Sequence, residues 1–111
     1  MPKSKIDPAL KAAVLSELTL HVGRARAVGM GELYERAFGR RYSHRINDTR
    51  DLRTIIERLR TEGRPIAYAD SGYYICQTAG ELDEFVRRYT AKALKILAKA
   101  AKIKRVSLTD L

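Results

Sequence analysis

Between Ile46 and Ile75 the chain reads INDTRDLRTIIERLRTEGRPIAYADSGYYI, one amphipathic helix running straight into a tight hairpin. Asn47, Asp48 and Thr49 each carry a side-chain oxygen able to accept from the free N–H groups of a helix start. Leu52, Ile55, Ile56 and Leu59 then recur at helical spacing. Gly63 ends the helix. Two short β-prone runs follow, Pro65 to Tyr68 and Tyr73 to Cys76, parted by Ala69-Asp70-Ser71-Gly72, where a glycine supplies the positive φ of a tight turn. A helix feeding a two-stranded hairpin in this order is the arrangement of a winged helix.

With the aliphatic stripe turned inward, Thr49, Arg50, Arg53, Glu57 and Arg60 fall on the outer side, with Thr54 and Arg58 at its margins. Arginine on the N-terminal half of such a helix suits the major groove of DNA, because its forked donors match guanine O6 and N7 or a pair of phosphate oxygens. The candidate DNA contacts on this helix are therefore Asn47, Thr49, Arg50, Arg53, Thr54 and Arg58. The alternative is a solvated, salt-bridged surface in which Glu57 pairs with Arg53 or Arg50.

Ahead of this unit, Asp7-Pro8 starts a helix to about Leu20, the carboxylate capping and the proline sitting where its missing donor costs nothing. Its buried stripe is Leu10, Val14, Leu15 and Leu18, and residues 1–6 read as a tail. His21 is a capping residue rather than a metal ligand, since no Cys or acidic cluster stands at ligand spacing. Val22 to Met30 reads as a loop or short extended piece, and a short helix from Gly31 to Phe38 packs Leu33, Tyr34, Ala37 and Phe38. Gly39 stops it. The basic turn that follows offers Arg40, Arg41, Arg45 and the hydroxyls of Tyr42 and Ser43 as phosphate donors, or else is a solvated loop.

Composition narrows the partners. The 111 residues hold 22 Lys+Arg against 13 Asp+Glu, a formal net charge of +9 that favours a polyanion. Cys76 stands alone, which permits no internal disulfide and no zinc site, and reads as a small buried hydrophobe. Nothing approaches the roughly 18 to 20 apolar residues of a membrane span, and Asp7, Pro8, Lys11 and Glu17 interrupt any signal-peptide core. The expectation is a cytoplasmic protein without cofactor or metal. With no phosphate loop and two histidines far from any nucleophile, it is not expected to be an enzyme.

After the hairpin, Thr78-Ala79-Gly80-Glu81 is a capping box for a long helix over 78–105. Its seam runs through Leu82, Val86, Tyr89, Ala93, Ile96, Ala100 and Ile103, alternately four and three apart, flanked by Phe85, Leu94 and Leu97. The seam is longer than a small domain covers. Either its first half caps the core while its distal half frays or packs on the first helix, or Tyr89, Ala93, Ile96, Leu97, Ala100 and Ile103 pair with a second copy. Arg88, Lys92, Lys95, Lys99 and Lys102 form a basic ridge, assigned to the face opposite the seam. It is a contact for DNA phosphates or an acidic protein, or simply a solvated face.

The run DTRDLRTIIERLRTEGRPI, then SGYYI, then TAGELDEFVRRYTAKALKIL resembles small winged-helix proteins of phages and prophages, over roughly Leu15 to Arg105. The helix and hairpin alone are similar to the DNA-binding end of biotin-ligase-type repressors. These resemblances imply a mainly α winged helix-turn-helix with a two-stranded β-wing over residues 1–77, then the long helix and a tail at 106–111. They also imply double-stranded DNA as partner, in transcription regulation or replication within a host cytoplasm. The wing tip departs from DNA-inserting wings, since Asp70 there is repelled by phosphates, which leaves Arg64 at the wing base, with Tyr68 or Tyr73, for backbone contact.

Overall fold

Four aliphatic residues on one side of a helix need a surface to cover them, and the chain supplies it with two helices and a hairpin. The computed structural model describes residues 6–43, 46–69 and 72–110, with the side chains of 46–48 and 106–110 outside that description. In chain order the elements are α1 (Pro8–Leu18), a 3₁₀ turn (Arg24–Arg26), α2 (Met30–Phe38), α3 (Ile46–Thr61), β1 (Ile66–Ala69), β2 (Gly72–Ile75) and α4 (Ala79–Asp110). The fold is mainly helical, with a two-stranded antiparallel sheet and a long C-terminal helix.

Leu52, Ile55, Ile56 and Leu59 of α3 are all buried, against Val14 and Leu18 of α1, Leu33 and Tyr34 of α2, and Ile66 and Tyr73 of the hairpin. Each such side chain contributes about 1.5–3 kcal/mol of transfer free energy, so this cluster is what holds the three helices together. The α1 cap forms as its sequence requires, the Asp7 carboxylate accepting from the Ala9 N–H at 2.9 Å with Pro8 in the first turn. Ile6, expected in the tail, is half-buried on the core. His21 braces a corner beyond its expected capping role: its ring nitrogens meet the Arg26 carbonyl at 2.8 Å and the Glu17 carboxylate at 3.1 Å.

The sheet pairs Ile66 with Ile75 and Ala69 with Gly72. The segment between α1 and α2 joins it, because Val28 and Tyr73 exchange N–H···O bonds at 2.8 Å, while the Gly23 N–H donates to the Ile75 carbonyl at 2.8 Å and the Ile75 N–H to the His21 carbonyl at 3.0 Å. Such pairing leaves no room at Gly72, whose φ is +128° and where a Cβ would collide with the Val28 carbonyl. Its achirality is needed for space as well as for the turn.

α4 starts on its expected capping box, the Glu81 N–H donating to the Thr78 hydroxyl at 3.1 Å. The helix runs to Asp110 rather than ending at 105, since nothing from Val106 onward is a glycine or proline that would stop it. Thirty-two residues span about 48 Å at the helical rise, and the molecule measures 53 Å along its longest axis. A compact domain of this size has a radius of gyration near 13 Å, against 16.9 Å here. Most of α4 therefore projects from the body. Among the described residues, no helix is long and apolar enough to cross a membrane.

Gly63 and Gly72 separate conformational strain from collision. Gly63 closes α3 at φ +95° with nothing near its absent Cβ. Gly63→Ala should cost about 1 kcal/mol in urea denaturation, the ordinary left-handed penalty. Gly72→Ala adds a backbone clash and should cost at least about 3 kcal/mol. Equal losses would contradict the close approach at Val28.

Candidate nucleic-acid interface

Four cationic residues far apart in sequence, Arg53, Arg60, Arg88 and Lys92, meet in a cleft between α3, the hairpin and α4. Its volume is about 500 Å³, and Arg53, Glu57 and Arg60 line one wall while Arg88, Tyr89 and Lys92 line another. Residues 53, 57 and 60 fall on one side of α3 because they stand four and three apart. Contacts step backward along α3 as α4 advances: the Arg60 guanidinium lies 5.1 Å from the Phe85 ring centre, and the Tyr89 hydroxyl donates to Glu57 Oε1 at 2.8 Å. The two helices thus run in opposing senses, and the projecting part of α4 extends toward the N-terminal half of α3.

Arg60 was expected on the outer face, and the structure corrects this. Its side chain is only 15% exposed. Nε donates to the Ile66 carbonyl at 2.8 Å, Nη1 donates to Glu57 Oε2 at 2.6 Å, and the guanidinium packs over Phe85 and Tyr89. A cation so shielded must find partners, and Arg60 finds acceptors on α3 and β1 and aromatic rings on α4. The signal in sequence was the Glu57–Arg60 spacing with aromatics seven and eleven residues into α4, a combination that periodicity alone does not flag.

Glu57 is thereby used up. Both of its oxygens are engaged, by Arg60 and by Tyr89, and the bond to Glu57 raises the Tyr89 phenol above its usual range. The salt-bridged alternative for this face required Glu57 to pair with Arg53 or Arg50. It pairs with neither, and among the described residues Arg50 and Arg53 make no ion pair while both are exposed. Tyr89, expected on the dimer seam, is instead turned to Glu57 and Arg60 within its own chain.

The remaining candidates divide. Thr49 is half-buried with its hydroxyl 3.1 Å from that of Tyr42, so it faces the α2–α3 connection rather than solvent. Tyr42, expected as a phosphate donor, turns inward: its ring packs on Tyr34, and its hydroxyl reaches Met30 Sδ. Thr54 is half-buried. Arg58 and Arg64 are exposed but lie near Glu62, whose carboxyl is held below the usual range chiefly by its bond to Lys11 and then by these charges. They sit at the α1 side of α3, away from the cleft. Arg40 and Arg41 are exposed at the end of α2, the Arg40 guanidinium resting 5.6 Å from the Phe38 ring centre. Arg45, the Asn47 side chain and the wing-tip Asp70 and Ser71 lie outside the described residues.

The basic ridge does not lie opposite the body throughout. Arg88 donates to the Tyr68 carbonyl at 3.1 Å, and Lys92 lines the cleft with Arg53. Tyr68 is exposed beside them, edge-on to buried Tyr73 at 4.7 Å, and burial raises the Tyr73 phenol. Cys76 packs with Phe85 on Ala67, Ala69 and Tyr74, and burial pushes its thiol up, in keeping with a small hydrophobe.

The angle of α4 is set at its start by Glu81, whose carboxylate accepts the N–H groups of Gln77 at 2.8 Å and Arg24 at 3.1 Å. These backbone bonds hold its pKa below the ordinary value. A lowered folded pKa contributes stability that is complete above the unfolded value, about 4.3, and is lost as pH falls through the folded one. Between about pH 6 and pH 3 the melting temperature of wild type should therefore fall further than that of Glu81→Gln. Parallel curves would remove Glu81 as the acid-labile anchor. Family models, characterised proteins and solved structures provide no match to this chain, so what the interface does must be argued from its own residues.

Proposed function

We propose that this protein is a winged helix-turn-helix that binds double-stranded DNA, with α3 in the major groove and the two-stranded hairpin as its wing. The observation that carries the reading is the pair Arg50 and Arg53: exposed, without ion pairs among the described residues, and beside a carboxylate already engaged by Arg60 and Tyr89. Unpaired arginine forks on the N-terminal half of a helix are suited to guanine edges or phosphate oxygens. Lys92 and Arg88 across the cleft, with Arg40 and Arg41 at the end of α2, add phosphate contacts that position without reading sequence. The short hairpin fits a role beside the duplex rather than in the minor groove. The role that goes with this reading is transcription regulation or replication, the role implied by the sequence's resemblance to phage and prophage winged-helix proteins.

Binding of a duplex, followed at several salt concentrations, tests this. Wild type should lose affinity steeply as salt rises from about 50 to 200 mM, because each neutralised phosphate releases counterions. Arg50→Ala with Arg53→Ala should weaken binding at least about tenfold, since each bidentate contact is worth roughly 1–3 kcal/mol. Lys92→Ala should weaken all sequences alike and reduce the salt slope by about one. Undiminished binding by the double variant would remove α3 from the interface, and no binding at about 50 mM salt would overturn the DNA reading.

A further inference from the structure

Beyond the cleft, the apolar residues of α4 from Leu94 to Ile103 are left to solvent by their own chain. Every residue from Val86 to Arg105 is exposed, including Ile96 at 62%, Leu97 at 64% and Ile103 at 60%. Among the described residues the distal half does not pack on α1, one of the covers that the sequence allowed. An isolated helix leaves water with an apolar arc this wide only where something covers it. The question is what.

Charge decides between the occupants. From Phe85 to Thr109 the chain contains eight lysines and arginines and no carboxylate. Val86, Ala93 and Ala100 alternate with Tyr89, Ile96 and Ile103 as the two core positions of a heptad, which places Lys92 and Lys99 at one flanking position. Two copies paired antiparallel would set Lys92 against Lys99 of the partner twice over. Paired parallel, they would set Lys99 against the partner's Lys104. Neither orientation brings an acid to either lysine, and flanking charges are what choose partner and orientation in such pairs. DNA would satisfy the lysines but leave Ile96, Leu97 and Ile103 against water.

We propose that the distal half of α4 docks an acidic amphipathic helix of another protein, its apolar side on Ile96, Ala100 and Ile103 and its carboxylates on Lys95, Lys99 and Lys102. One helix answers both halves of the surface, covering the seam and neutralising the ridge. Ile96 and Ile103 lie outside the lining of the cleft, so this docking stands whether or not α3 binds DNA.

The test uses the whole chain and two synthetic peptides of about three heptads, alike in their Leu and Ile core and differing only in Glu or Lys at the flanking positions. Light scattering should find the protein monomeric at about 50 mM salt. The Glu peptide should bind at least about tenfold more tightly than the Lys peptide. Ile96→Ser with Ile103→Ser, at exposed positions that leave the helical circular dichroism intact, should abolish that binding while duplex binding is kept. Lys95→Glu with Lys99→Glu should reverse the peptide preference. A dimer in the absence of peptide would make a second copy the occupant and overturn the proposal. So would equal binding of the two peptides, or Glu-peptide binding that survives loss of both isoleucines.

Discussion

Arg60 is the constraint on which the functional part of the molecule depends. It leaves the C-terminal half of α3, bonds the first residue of β1, pairs with Glu57, and lies under two aromatic rings of α4. A guanidinium so largely withdrawn from water needs acceptors, which Glu57 and the Ile66 carbonyl supply, and the rings of Phe85 and Tyr89 against it tie α4 to the same point. The aliphatic core joins α1, α2 and α3, but it does not reach α4. Without Arg60, α4 would be held only by Phe85, the capping residues and a few surface bonds, and its cations would have no defined relation to α3.

The same pairing prepares the surface. By engaging Glu57, Arg60 and Tyr89 remove the one carboxylate that stands between Arg53 and the cations of α4. Pairing between Arg60 and Glu57 thus leaves Arg53, one turn back on the same side of α3, exposed and without an ion pair among the described residues. Farther along α4 the balance changes from charge alone to charge beside an apolar arc. The proposed nucleic-acid contact near α3 and the proposed protein contact at the far end make different demands, and a helix of 32 residues has the length for both.

Much of this was legible in the sequence where local rules act alone. The Asp7-Pro8 start, the stripe Leu52, Ile55, Ile56 and Leu59, the stop at Gly63 and the Thr78–Glu81 box all depend on neighbours within one or two turns. Long-range bonds were not legible. Arg60 and Tyr89 sit at spacings that fit an outer face and a seam, and only the approach of α4 to α3 brings them against each other and Glu57. Tyr42 was misread for a similar reason: a tyrosine in a basic turn suggests phosphate, whereas its ring is wanted by Tyr34 and its hydroxyl by Thr49. The segment from Val22 to Val28 gives no strand pattern because its pairing with β2 is confined to two short bridges.

The central claim is that α3 and the near half of α4 form one DNA-facing surface organised by Arg60. Backbone amide chemical shifts of isotope-labelled protein, followed as a duplex is added, test it most directly. Perturbations should cluster at Arg50, Arg53, Tyr68, Arg88 and Lys92, with the Arg60→Met variant keeping those on α3 and losing coherence on α4. Perturbations confined to the distal lysines of α4, with α3 silent, would contradict it.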